Sequence, residues 1–391
     1  MSDATVATTH RWRIGLEGRV LVVLMWILLT IGLATVYSAS SITADQMGRG
    51  HAFFVLRQLT GVIAGLVVFA IAAKIDAERW YGWAWPLMLL SLILLTVVIL
   101  PGTESIAPRI NGSRRFLVGG SFQPSELGKL AVIVWTAMLL VKKGETMRRL
   151  TKGLLPFLLV LAALNVLVAL EPDLSVALTY TLIMGIVLFA GGVRIGHFVA
   201  LLVLVVPAIW QEIERLNYVL LRMVHFFDPG SAPATVSYQQ TQSLIAVGSG
   251  GALGVGFGEG RQQYGFLPYA YDDFIAGNIG EEWGFVGLLV VILAFVGYGV
   301  LGFRIARAAR TPFQKLVAIG LTVTVIITAY LHIAVSIGLL PTTGLTLPFI
   351  SYGRSNLVIT MLMTGILVNI ASSRERVFGA GATDPLAPVP A

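Results

Sequence analysis

Long apolar runs recur along the whole chain, each of the length that crosses ~30 Å of hydrocarbon. They fall near Val20–Ser38, Phe53–Ala73, Trp80–Leu100, Leu127–Val141, Leu154–Leu170, Leu174–Ala190, His197–Leu216, Phe274–Phe303, Leu316–Leu340 and Leu357–Ile370, ten in all. Backbone polar groups in lipid must be satisfied within their own segment, so such runs become helices. The expected fold class is therefore an all-α polytopic membrane protein with ten transmembrane helices. Composition agrees: 56% of the 391 residues are hydrophobic and only 12% are charged, more apolar surface than a soluble domain uses. The fourth and seventh runs are the least regular, the one short and the other carrying Glu212 and Glu214. No small-residue cleavage site follows the first run, so it reads as a retained helix.

An even number of spans puts both termini on one side, and lysine and arginine say which. Arg11, Arg13, Arg19, Lys74, Arg79, Lys142, Lys143, Arg148, Arg149, Lys152, Arg194, Arg304, Arg307, Arg310, Lys315, Arg374 and Arg376 occupy the short loops of a single face, 17 of the 27 basic residues. That face is expected to be cytoplasmic, with a tail over residues 1–19, a transmembrane domain over 20–371 and a disordered tail over 372–391. The largest outward loop then joins the seventh and eighth helices.

Several chemistries are disfavoured. The chain has no cysteine, which removes thiol catalysis, thiolate metal sites and disulfides. Its net charge of +7 is spread between helices rather than along a stripe, so nucleic acid is not an expected partner. The glycine-rich GSGGALGVGFGEG has no Gly-Lys-Ser/Thr ending and no preceding strand, so it does not suit a nucleotide phosphate. Its glycines are expected to let backbone approach backbone or ligand. The five histidines lack metal-binding spacing, and no serine has a nucleophile-elbow context.

What remains is polar and outward. Arg57, Arg109, Arg114, Arg115, Lys129, Arg215, Arg222, Arg261 and Arg354 lie in or beside the outward connections, against the orientation bias. An anionic ligand such as a phosphate would account for the set. Pairing with Glu104, Glu126, Asp173 or lipid headgroups is the alternative for any one of them. The stretch Tyr238–Gly287 is rich in glycine, glutamine and aromatics and contains Asp272-Asp273. Helix capping is the favoured reading of Asp272, and a general base acting on a hydroxyl that of Asp273. Glu281 and Glu282 read as structural acids favoured by the start of a helix. In Gln123-Pro124-Ser125-Glu126-Leu127-Gly128-Lys129, Glu126 and Lys129 share a helix face, and membrane energetics favours a polar cavity there. Glu171-Pro172-Asp173 ends one helix and caps the next.

Taken in order, a set of short motifs resembles the SEDS family of polytopic peptidoglycan glycosyltransferases, the group containing RodA and FtsW. The motifs are Tyr37-Ser38-Ala39-Ser40, Arg57-Gln58-Leu59, Asn111-Gly112-Ser113-Arg114-Arg115, Gln123-Pro124-Ser125-Glu126 with Lys129, and Glu171-Pro172-Asp173-Leu174. They continue with Tyr238-Gln239, Gln242-Ser243-Leu244-Ile245-Ala246, Gly248-Ser249-Gly250-Gly251, Asp273-Phe274-Ile275, Gly280-Glu281-Glu282 and Pro348-Phe349-Ile350-Ser351-Tyr352-Gly353. GLLPTTGLTLPFISYG looks more like the division branch than the elongation branch.

The resemblance implies polymerisation of lipid II into β-1,4 glycan strands at the outer leaflet of the bacterial inner (cytoplasmic) membrane, with inversion. Asp273 matches the family's essential aspartate and is the expected base. Arg57, Arg114, Arg115 and Lys129, with Glu126 beside them and Arg109, Arg222 and Arg261 behind, are the candidates for binding the diphosphate. No cofactor is certain; a divalent cation (Mg or Mn) could assist, although no dedicated cage is evident. The implied partners are a class B penicillin-binding protein transpeptidase and other division or elongation membrane proteins. Three departures stand out: Phe116 for the usual Trp, Asp272 for Thr, and SYGRSN for SYGGSS. The last brings Arg354, expected to pair with Asp272. A flippase or transporter for the same lipid is the alternative function.

Overall fold

A computed structural model describes residues 9–109, 113–117, 120–144, 147, 153–193, 196, 217–228 and 234–377. Its helices are α1 (Leu16–Gln46), α2 (Phe53–Lys74), α3 (Arg79–Ile99), α4 (Pro124–Lys143), α5 (Leu155–Leu170), α6 (Leu174–Ala190), α7 (Asn217–Phe227), α8 (Ala234–Gly250), α9 (Ile275–Glu282), α10 (Gly284–Arg307), α11 (Pro312–Ser336) and α12 (Arg354–Ile370). Two short strands, β1 (Thr9–Ile14) and β2 (Ser372–Val377), pair antiparallel and tie the segment before α1 to the segment after α12. This pairing falls in the segments expected to be tails.

Among the described residues, α1, α2, α3, α4, α10 and α11 are long and apolar enough to cross a membrane, with α5, α6 and α12 as shorter apolar helices. The chain is a multi-pass membrane protein. The expected span at His197–Leu216 lies outside the described residues, as do Arg148, Arg149, Lys152, Arg194 and Arg215.

The least regular sequence run turns out to be central. In α4, 83% of the apolar window is buried, against 28% in α2 and α3, so α4 is the hub and those two face lipid. Proline at its first turn, where an N–H would be unpaired in any case, starts it at Pro124. Gly128 lets Tyr180 of α6 come in close, and the Tyr180 hydroxyl donates to Ser125 O at 2.7 Å. Small residues at crossings are what membrane helices use to approach one another.

The expected single span Phe274–Phe303 is instead two helices, α9 and α10, broken at Trp283–Gly284. Gly284 has φ +66°, and a β-carbon there would meet Gly254 N at 2.3 Å. The glycine-rich segment after α8 fills the break. Val255 and Gly256 donate to Glu281 O and Glu282 O at 3.0 and 3.1 Å, while Phe285 and Val286 donate to Gly251 O and Ala252 O. A helix broken inside a membrane protein needs its freed backbone groups satisfied by other protein, and this loop does so. The expectation that these glycines permit backbone approach is met. The long outward connection expected before α9 is not all loop: it holds α7 and α8.

Candidate active site

Asp273 ends a turn, Tyr269–Asp273, that leads into α9. Two neighbours fix the turn: Tyr352 N–H donates to Tyr271 O at 2.9 Å, and the Ser351 hydroxyl donates to Asp272 O at 2.8 Å. The rings of Phe54, Tyr271 and Tyr352 pack against one another with centroids 4.6 to 5.7 Å apart, so α2 and the segment before α12 brace it from outside. The capping expectation for Asp272 fails. Phe274 is the residue before α9, no side chain caps that helix, and Asp272 Oδ1 is buried without a hydrogen-bond partner. Burial and the adjacent Asp273 push the Asp272 carboxyl well above its ordinary range.

Asp273 is partly buried and faces Gly344, where a β-carbon would lie 3.9 Å from Oδ2. Its electrostatic neighbours are Arg222 from α7, Asp173 and Arg115. Loss of water raises its carboxyl to about 6; Arg222 pulls it down, Asp173 pushes it up and Arg115 pulls it down. A carboxyl near 6 is charged at neutral pH yet basic enough to accept a proton, which is the poise a general base needs.

The cations around it are built in. The Arg115 guanidinium donates to Glu171 O at 3.0 Å and Pro172 O at 2.6 Å, and its Nη1 lies 3.4 Å from Asp173 Oδ2. Asp173 caps α6 by accepting from Val176 N–H at 3.3 Å, as its sequence position suggested. Arg222 donates to Thr342 O at 3.3 Å, and Ser175 donates to Thr343 O, so α6, α7 and the 341–344 segment meet at Asp273. Behind Asp173 lies the Glu126–Lys129 pair at 2.7 Å, fully buried, with Asn356 of α12 donating to Glu126 Oε2 at 3.1 Å. Lys129 and Glu126 both act on Asp173, which makes one continuous charge network.

Glu171 is the odd member. It is buried, both its carboxyl oxygens lack partners, and burial first and Asp173 second raise it to about 9. Beyond their places at the helix ends, Glu171 and Asp173 belong to this charge network, and Asn356 joins it through Glu126.

The other sequence candidates lie apart from Asp273. Arg114 pairs with Glu104 and donates to Leu100 O at 3.3 Å. With Arg109, Ser113, Leu170 and Pro172 it lines a cavity of about 360 Å³. Arg57 lies over the Phe53 ring at 5.6 Å. Arg261 is exposed, and it is its backbone N–H that is engaged, donating to Glu281 Oε1 at 2.8 Å. Glu281 and Glu282 do not open a helix but end α9. Their role is structural for a different reason: Glu281 accepts backbone N–H groups from Arg261 and Gln262, and Glu282 accepts the Ser38 hydroxyl. The expected Arg354–Asp272 pair is absent; Arg354 donates to Ser121 Oγ at 2.8 Å. Among the described residues no three His, Cys, Asp or Glu side chains converge as metal ligands.

The model of the FtsW/RodA/SpoVE family, described as cell cycle protein, matches residues 19–376. A probable peptidoglycan glycosyltransferase FtsW of Trichlorobacter lovleyi is 39% identical over 355 residues, covering 90% of this chain and 92% of the relative. Stage V sporulation protein E of Bacillus subtilis is 35% identical over 90% of this chain and 96% of its own length. Among solved structures, one described as "Structural coordination of polymerization and crosslinking by a peptidoglycan synthase complex" matches with TM-score 0.75 and 25% identity, covering 90% of this chain and 97% of that one. The rod shape determining protein RodA of Thermus thermophilus matches with TM-score 0.62 and 25% identity, covering 90% and 95%.

Proposed function

We propose a function from one premise: the chain belongs to the FtsW/RodA/SpoVE family of cell cycle proteins. It is a peptidoglycan glycosyltransferase that joins lipid-linked disaccharides into β-1,4 glycan at the outer leaflet of the cytoplasmic membrane. The observation that carries this reading is Asp273, a partly buried carboxylate poised near 6 beside two arginines, at the junction of α6, α7 and α9.

In this mechanism Asp273 takes the proton from the acceptor sugar hydroxyl as its oxygen attacks the donor's anomeric carbon. The bond from that carbon to the diphosphate breaks on the opposite side, the diphosphate leaves with the electron pair, and the configuration inverts. A positioned base contributes typically ~10²–10⁴-fold, so the leaving group must be stabilised as well. Arg222 and Arg115 are the guanidiniums whose charge already reaches Asp273, and they are assigned that task. Lys129, itself fixed by Glu126, attracts the Asp173 carboxylate that meets Arg115. Arg109 and Arg114 line a cavity on the far side of the Glu171–Asp173 turn, where a second part of the substrate could lie. A magnesium or manganese ion accompanying the diphosphate stays within the proposal, its ligands supplied mainly by the phosphates. A single-helix transpeptidase is the proposed partner, in line with the peptidoglycan synthase complex whose structure this chain resembles.

The test is polymerisation of lipid II by the purified protein with its cognate transpeptidase, followed as glycan length on gels. Glycan strands are the expected product. Translocation of lipid II across vesicles with no glycan formed would replace this reading with the transporter.

A further inference from the structure

The segment that follows α11 is held from four sides, each time by its carbonyl oxygens. Gln240 of α8 donates to Leu340 O at 3.1 Å and Arg222 of α7 to Thr342 O at 3.3 Å. The Ser175 hydroxyl of α6 donates to Thr343 O, and His332 of α11 meets Leu345 O at 2.5 Å. Between the last two lies Gly344, exposed and at φ +71°, where a β-carbon would lie 3.9 and 4.0 Å from the two carboxyl oxygens of Asp273. The position of this segment therefore sets the space in front of that carboxyl. Through Thr342 it also sets where Arg222 is gripped.

His332 differs from the other three anchors. A carbonyl oxygen only accepts, so the ring nitrogen that meets it, Nδ1, carries the proton and donates. That leaves Nε2, which is buried without a hydrogen-bond partner in a side chain only 1% exposed. Burying an unpaired polar atom is unfavourable, and a leucine would fill the same space without that cost. What the imidazole adds over leucine is the Nδ1 bond. This bond joins the last turns of α11 to a point thirteen residues further along, closing the returning loop onto its own helix. Thr342 and Gly344 both lie inside the closed loop, and Gly344 is next to the residue that closes it.

Resting on the proposed function, we infer that His332 is a positioning residue for the glycosyl transfer. Acting through Leu345 O, it holds Gly344 against Asp273 and Thr342 against Arg222 while the base takes its proton and the diphosphate leaves. The ring touches no reacting atom in this role. It acts on the transition state, where base and leaving-group cation must both be in place, and little on the binding of substrate.

The experiment uses the shapes of two amides. The side-chain nitrogen of asparagine falls where Nδ1 of histidine lies, and that of glutamine falls nearer Nε2. His332→Asn therefore keeps the bond to Leu345 O, His332→Gln loses it, and His332→Leu keeps only the volume. Each full-length variant is assayed with its transpeptidase for kcat and KM on lipid II. Separately, and without substrate, hydrogen exchange is followed over residues 342–347. In the Gln and Leu variants kcat should fall by about tenfold or more with KM within about threefold of wild type, and exchange should speed up by about tenfold. The Asn variant should restore both. Should the Leu variant fail to fold, the comparison of Asn with Gln carries the decision. Wild-type kcat and exchange in the Gln variant overturn the inference. So does a loss shared equally by Asn and Gln, or a fall in kcat with exchange unchanged. Because exchange is read without turnover, a wild-type protein that makes no glycan refutes the proposed reaction, and the exchange pattern still decides whether His332 holds the segment.

Discussion

Asp273 shows how little a residue's identity says until its neighbours are known. Asp272 and Asp273 are adjacent and chemically identical, yet one has its carbonyl engaged by Ser351 and its Oδ1 buried without a partner, and the other faces Gly344 with arginines in range. The sequence reading separated them through a family resemblance; the structure separates them physically. A consequence follows for pH. A carboxyl raised from its ordinary 3.8 to about 6 is protonated below that pH and basic above it. Polymerisation should therefore be lost as pH falls through about 6, whereas an unshifted carboxylate would keep activity down to about 4. The profile of kcat/KM between pH 4.5 and 8 checks this, and a flat profile across 6 speaks against Asp273 as the base. The stray arginines needed similar care. From sequence they formed one set awaiting an anion. In the structure Arg114 meets Glu104, Arg115 clamps the Glu171–Asp173 turn, Arg222 and Arg115 act on Asp273, and Arg354 donates to Ser121 instead of meeting an acid.

The elements were legible where hydrophobicity alone decides them. The spans from α1 to α6, together with α11 and α12, lie close to their expected positions, because runs of that length have one solution in lipid. What the sequence concealed depends on contacts distant in the chain. Nothing local announces that Trp283–Gly284 breaks a helix, since its freed backbone groups are satisfied by Gly251–Gly256 from an earlier segment. Helices α7, of 11 residues, and α8, rich in polar residues and glycine, are too short or too polar to stand out as spans. The break gives a sharp test. Gly254 has φ +82°, and a β-carbon would meet Glu282 O at 2.1 Å, so Gly254→Ala should destabilise the protein by roughly 2–4 kcal/mol through strain and collision. Gly248, inside α8 with nothing within 4 Å, is the control: alanine there should be neutral or stabilising by ~0.5–1 kcal/mol. Thermal unfolding in detergent distinguishes the two; equal behaviour would mean the loop does not support the break.

For the whole molecule, the proposed function requires α7, α8 and the Asp273 turn to lie outside the cytoplasm, as the charge asymmetry predicts, and β1–β2 pairing keeps residues 9–14 beside residues 372–377. The absence of cysteine makes this easy to check. A single cysteine at Phe257 or Tyr264, both exposed in the glycine-rich segment and its continuation, should react with a membrane-impermeant maleimide on intact spheroplasts. One at Arg307, near the end of α10, should react only after permeabilisation; the reverse pattern would invert the topology. The central claim is that Asp273 does chemistry rather than binding. Its most direct measurement is lipid II affinity and glycan formation side by side for wild type and Asp273→Asn, with the transpeptidase present. The expected result is an affinity within about threefold of wild type and a kcat lower by at least ~10²-fold. Turnover at the wild-type rate, or a loss explained by weaker binding alone, would contradict it.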